Sequence, residues 1–253
     1  MKLSVPLPDA VEGWVKALEG YERELVHYDE DAPAGESPIG VLHGTKPVLI
    51  SAPHSARHWR EGEWKQEDEY TAAIGYLLHK QTGAHLIYAR YQLNPDPHDD
   101  GAENAYKRAL DEIVTSIPIG CVIDLHGARG DRDFAVAIGT MGGQTLANYE
   151  KTLIHNFRMS LLYEEADTPS LDRVAINPPR YTGGFKLPTI TRHVWERHQI
   201  PAVQIELSAW VRITRRLENA TNARNGTSPN FRGDLGRIGF VCTALHNFIN
   251  DNW

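Results

Sequence analysis

Apolar residues along the chain recur at two alternating spacings. Val11, Trp14, Val15 and Leu18 fall three or four positions apart, one face of a helix that Asp9 can cap. A turn-rich connector, Asp31 to Pro38, leads to the run Lys46-Pro-Val-Leu-Ile-Ser-Ala-Pro53, which is short, apolar and closed by proline. That run suits a buried strand and delivers His54 at its end. Helical spacing returns at Tyr70, Ala73, Ile74, Leu77 and Leu78, and a second strand follows at 84–89. Tyr106, Ala109, Leu110, Ile113 and Val114 mark another helix, followed by the strand Cys121-Val-Ile-Asp-Leu-His126.

Further strands are expected at 134–138 and 202–207. Helical patterns lie at Leu146, Tyr149, Leu153 and Phe157, at Ile190, Val194 and Trp195, and from Ile238 to Ile249. Strands alternating with helices predict an α/β fold, a three-layer α/β/α sandwich of the hydrolase-like kind around a mixed, mainly parallel sheet. A single domain over residues 1–253 is expected. The stretch Glu218 to Asn230 is polar, Asn-rich and aperiodic, and is read as an exposed loop.

Composition narrows the function. With Lys+Arg 26 against Asp+Glu 33 the formal charge is −7, and no basic patch offsets it, so a nucleic-acid partner is not expected. Cys121 and Cys242 sit far apart in apolar stretches and read as buried free thiols. No apolar run is long enough to cross a membrane and the N-terminus lacks the apolar core of a signal peptide, so no membrane partner and a cytoplasmic location are expected. Elbow, phosphate-loop, zincin and dinucleotide signatures are all missing from the sequence.

In sheets of this kind ligands gather at the carboxyl ends of the strands. Three strands end in ionisable groups there: His54, the pair Asp124 and His126, and Glu206. Two neutral imidazoles on neighbouring strands plus a carboxylate can hold Zn²⁺ or another divalent metal. Asp124 shares a face with His126 and is placed to orient an imidazole or to cap a loop. Glu206 stands in the apolar strand Ala202 to Leu207, where an ionised carboxylate needs a partner, such as Arg212 or Arg215, or a catalytic role. His98-Asp99-Asp100 reads as a solvated loop and helix cap.

Ala52-Pro-His-Ser-Ala-Arg57, Glu67-Asp-Glu-Tyr-Thr71, Asp124-Leu-His-Gly127 and Gln204-Ile-Glu-Leu207 resemble, in order and spacing, the N-formylglutamate amidohydrolases. That family is similar in fold to the zinc carboxypeptidases. The resemblance spans roughly residues 46 to 212 and implies that His54 and His126 ligate the metal. It implies a third ligand among Glu67, Asp68 and Glu69, with Asp68 favoured, and Glu206 as general acid/base. Arg57 and Arg212 become candidates for polarising the scissile carbonyl or holding a substrate carboxylate. Lys107 is a candidate at the border of the site. The chain departs from the family at Ala56, where glycine is common, and at Asn94-Pro95, where an Asn-Arg pair usually stands.

The expected activity is metal-dependent hydrolysis of the C–N amide bond of an N-formyl- or N-acyl-amino acid such as N-formylglutamate, a small-molecule substrate. A carboxypeptidase-like peptidase and a non-catalytic binding protein on the same fold are the competing readings.

Overall fold

The structure, a computed structural model, describes residues 9–101, 104–161, 173–185, 187–220 and 227–253. Helix α1 (Asp9–Leu25) forms where the apolar repeat places it and buries Val11, Val15 and Leu18. The connector leads into β1 (Ile39–Leu42), a strand the sequence pattern does not announce, then β2 (Val48–Ala52). A small hairpin, β3 (His58–Arg60) and β4 (Glu63–Lys65), precedes α2 (Thr71–Thr82) and β5 (His85–Ala89). After α3 (Ala105–Ser116) come β6 (Cys121–Ala128), β7 (Val136–Gly139), α4 (Glu150–Leu161) and β8 (Val174–Ile176). Helix α5 (Ile190–His198), β9 (Ala202–Ser208) and α6 (Leu235–Asn252) complete the order.

Seven strands form one sheet in the order β1-β5-β2-β6-β9-β7-β8. The pairs β5-β2, β2-β6, β6-β9 and β7-β8 are parallel, while β1-β5 and β7-β9 are antiparallel, giving the mixed, mainly parallel sheet expected. All five residues of β2 and all seven of β9 are buried, as near-continuous apolar runs require when both faces of a parallel sheet are covered.

Side-chain alternation sorts the covering helices. A Cβ on Gly75 of α2 would meet Leu86 and Ile50, so α2 lies on the face that carries Ile50, Ile123 and Val203. Helices α1 and α6 pack on α2, and α4 packs on α6. Tyr106 of α3 touches Ser51, and Thr191 of α5 reaches Asp124, so α3 and α5 cover the opposite face. That second face carries Asp124, His126, Gln204 and Glu206.

Cys121 and Cys242 are buried free thiols, as expected. Of the polar stretch 218–230, residues 221–226 lie outside the described residues. Among the described residues no helix is long and apolar enough to cross a membrane.

Candidate active site and metal centre

Each site residue is delivered by a separate element. β2 ends at Ala52, and the chain turns through Pro53 so that Ser55 Oγ donates to the carbonyls of Ala52 (3.0 Å) and Ala89 (2.7 Å), fixing His54 over the strand ends. The Asp68 amide donates to the His54 carbonyl at 2.7 Å, which brings the acidic segment beside that imidazole. Tyr70 then takes a left-handed φ of 68° at the start of α2, unusual for a bulky residue. Its amide donates to buried Glu22 Oε1 at 2.6 Å, one of the contacts that hold this strained turn.

Asp68 Oδ2 lies 3.8 Å from His54 Nδ1 and 3.5 Å from His126 Nδ1. Donor atoms bonded at ~2.05 Å in a tetrahedral shell sit ~3.4 Å apart, so each of these two separations is near the spacing at which Asp68 and an imidazole share an ion. Behind each Nδ1, the opposite ring nitrogen faces a carboxylate. His54 Nε2 lies 2.9 Å from Asp96 Oδ1, within hydrogen-bonding distance. His126 Nε2 lies 3.1 Å from Asp124 Oδ2, out of line for a hydrogen bond. Outer carboxylates of this kind orient imidazole ligands. Asp124 is itself fully buried and held by Ser51 Oγ at 3.1 Å and Thr191 Oγ1 at 3.4 Å.

Of the three neighbouring acids, Glu69 is committed elsewhere, in a buried fork with the Arg216 guanidinium at 2.8 to 3.2 Å. Glu67 is buried. Asp68 has contacts to both imidazoles in the ion-pair geometry above. Burial raises its carboxyl, but His126 and His54 outweigh that effect and bring it down to about 2, so it is an anion at neutral pH.

Glu206 pairs in register with His126 across β6 and β9, and with Ala137 across β9 and β7. Its Oε1 accepts from Gln204 Nε2 at 2.8 Å, while Gln204 Oε1 accepts from the Gly183 amide at 3.1 Å, which sets which way that side-chain amide faces. Burial pushes the Glu206 carboxyl up from 4.5 to about 7, against the pull of His126. A carboxyl poised there exchanges protons readily at neutral pH. Tyr181 stands in the field of Glu206 and Asp68, edge-on to Phe134 at 5.5 Å, with the Arg132 guanidinium 6.0 Å from its ring centre.

Three functional neighbours escaped the sequence reading. His98, expected in a solvated loop, instead turns inward: ring nitrogens of His54, His98 and His126 lie within 4.8 Å of one another. Its Nε2 is buried without a hydrogen-bond partner. The loop is tied down by Asn104, whose Nδ2 donates to the carbonyls of Asp96, Pro97 and Asp99 at 2.9 to 3.0 Å. Asp96 is fully buried; it accepts from the His98 amide at 2.8 Å and from Arg60 Nε. Burial works against its charge, but His54, His58 and Arg60 hold the carboxyl far below the usual range. Arg60, the third, also lies 3.4 Å from His54 Nε2 and 3.2 Å from His58 Nε2.

Of the three residues expected at the substrate, Arg212 and Lys107 bond to groups of the chain itself. The fully buried Arg212 donates to the carbonyls of Leu207, Glu69 and Ala128, lying against Gly127, where any Cβ would strike it at 2.6 Å. These bonds clamp β6 and β9 to the acidic segment. Lys107 Nζ donates to the His98 carbonyl at 3.0 Å and to Asp100 at 2.7 Å, bracing the loop. Arg57 places its guanidinium 5.9 Å from the Trp64 ring centre, and its Nε is buried without a hydrogen-bond partner; Arg60 is the arginine in contact with His54.

No protein-family profile and no curated protein sequence matches this chain. Solved structures do. The fold is similar to that of N-formylglutamate amidohydrolase from Ralstonia eutropha JMP134, with a TM-score of 0.55 at 14% identity, covering 85% of this chain and 99% of that one. It is also similar to a bacteriophage poly-gamma-glutamate hydrolase, with a TM-score of 0.51 at 14% identity, covering 94% and 95% of the two chains. The fold expected from the four motifs is therefore the fold observed.

Proposed function

We propose that the protein is a metal-dependent hydrolase that cleaves the C–N amide bond of an N-formyl- or N-acyl-amino acid, N-formylglutamate being the first substrate to test. The observation that carries this reading is the pairing of His126 with Glu206 across β6 and β9, which sets a proton-exchanging carboxyl beside the His54–Asp68–His126 group. Two structures of the same fold bear the names of hydrolases of glutamate-derived amides, which supports that substrate class.

The donor types fit a borderline divalent ion such as Zn²⁺: the Asp68 carboxylate lies 3.8 and 3.5 Å from the His54 and His126 imidazoles, with His98 and its unpartnered nitrogen close to both rings. His54, His126 and Asp68 would hold it. Such an ion supplies Lewis-acid polarisation and a more acidic water. Glu206 takes the proton of the attacking water as the water oxygen bonds to the acyl carbon, then returns a proton to the amine nitrogen as the C–N bond breaks. Gln204 holds one Glu206 oxygen as an acceptor, leaving the other for that shuttle. Arg57 and Arg132, each with a buried and unpartnered Nε, are the candidates to receive the substrate carboxylate.

The test is turnover of N-formylglutamate, other N-acyl-amino acids and C-terminal dipeptides by the metal-loaded and chelator-treated protein. Metal-dependent release of the free amino acid supports the reading. Release only from dipeptides moves the protein to the peptidases, and no turnover of any amide by the loaded protein refutes hydrolysis.

A further inference from the structure

Away from the strand ends, α3 and α5 bring together a second set of ligating side chains that shares no residue with the first. Asp111 of α3 presents Oδ1 to two imidazoles of α5 at once, hydrogen-bonded to His193 Nε2 at 2.7 Å and to His198 Nε2 at 2.6 Å, and the three ligating atoms lie within 4.8 Å of one another. The two rings are 6.0 Å apart at 69°, so their nitrogens approach one point from different directions. The group borders a groove of about 630 Å³ whose lining includes Lys107, Arg108, Asp111, Arg192 and His193.

We propose that Asp111, His193 and His198 form a second divalent-metal site, suited to Zn²⁺ or a similar borderline ion, that pins α3 to α5. The donor set is the one such ions select, two imidazole nitrogens and one carboxylate oxygen, with the groove leaving room for a further ligand. His198 closes the last turn of α5, where the helix dipole favours a cation. Side-chain exposures of 13%, 11% and 20% for His193, His198 and Asp111 leave the site reachable yet partly shielded. Arg197, the competing cation on Asp111 Oδ2, is 3.4 Å away and 66% exposed, so it can move into water when an ion enters. An ion here would tie together the two helices that contact the Ser51 and Asp124 supports of the first site.

The experiment counts ions. The full chain without a polyhistidine tag is stripped with chelator and titrated with Zn²⁺, reading stoichiometry by calorimetry and elemental analysis. It is run on wild type, His126→Ala, and the double variant His193→Ala/His198→Ala, with circular dichroism to check folding. The double variant should bind one equivalent fewer than wild type, whatever the wild-type number, and His126→Ala should lose the other equivalent independently. If the double variant does not fold, His198→Gln serves instead, and a tenfold or greater loss of affinity for one equivalent is expected. Equal stoichiometry and affinity in wild type and these α5 variants would overturn the second site while leaving the first untouched.

Discussion

Glu206→Gln separates a catalytic carboxyl from a structural one by sign as well as size. Raising a carboxyl from 4.5 to about 7 means that the folded chain holds this proton more tightly than the unfolded chain does. Stability therefore falls as pH rises through that window: nothing is lost below 4.5, and the full cost is present above about 7. At ~1.4 kcal/mol per pH unit the cost at pH 8 is about 3 kcal/mol. Glutamine keeps the oxygen that Gln204 contacts and removes the charge. In metal-free protein the variant should thus match wild type in urea midpoint near pH 4.5 and exceed it by up to about 3 kcal/mol at pH 8. The same variant, loaded with metal, should lose about 10²- to 10⁴-fold in turnover, the span of general acid–base catalysis, while retaining its ion. A stability loss at pH 8 would show that Glu206 is half of an ion pair. Wild-type turnover would end its role as proton carrier.

Glu22→Gln is the companion control: burial raises this carboxyl to about 7 as well, and its Oε2 lacks a partner, so the variant should gain about 3 kcal/mol at pH 8 with turnover unchanged. A flat difference between pH 5 and pH 8 in urea melts would contradict this. Asp96→Asn should weaken the first metal site about 10- to 100-fold by calorimetry, because the carboxylate behind His54 is lost; unchanged affinity would show that Asp96 serves only the loop. Arg212→Met strands three carbonyls and should lower stability by at least ~3 kcal/mol in urea unfolding. A loss below ~1 kcal/mol would refute the clamp.

What could be read from the chain follows strand physics. A short apolar run fixes where a strand ends, and period-two alternation fixes its face, so the residue pattern alone is enough to group His54, Asp124, His126 and Glu206. The choice among Glu67, Asp68 and Glu69 could not be read, because it depends on a backbone bond from Asp68 to His54 and on Arg216 drawing Glu69 away. His98, Asp96 and Arg60 were hidden for a related reason. They lie in a loop and a hairpin with no periodicity, and their inward aim depends on Asn104, Lys107 and one another. Arg212 shows a further limit: a guanidinium near an acidic site invites a substrate role, and the three carbonyls it braces come together only in the fold. Strands β1 and β8 are only four and three residues long, too short for a pattern to stand out.

The register of β9 carries a consequence for how the gene can vary. His126 meets Glu206 only because Val122 to Ala128 lie level with Ala202 to Ser208. Removing one codon between Pro201 and Glu206 would rotate Gln204 and Glu206 to the helix α2 face and bring Ile205 and Leu207 round to the imidazoles. The proton carrier would vanish and a charged group would enter the apolar core in the same event. Length changes inside this strand are therefore closed to drift, whereas the polar stretch that follows Glu218 can lengthen or shorten without shifting this pairing.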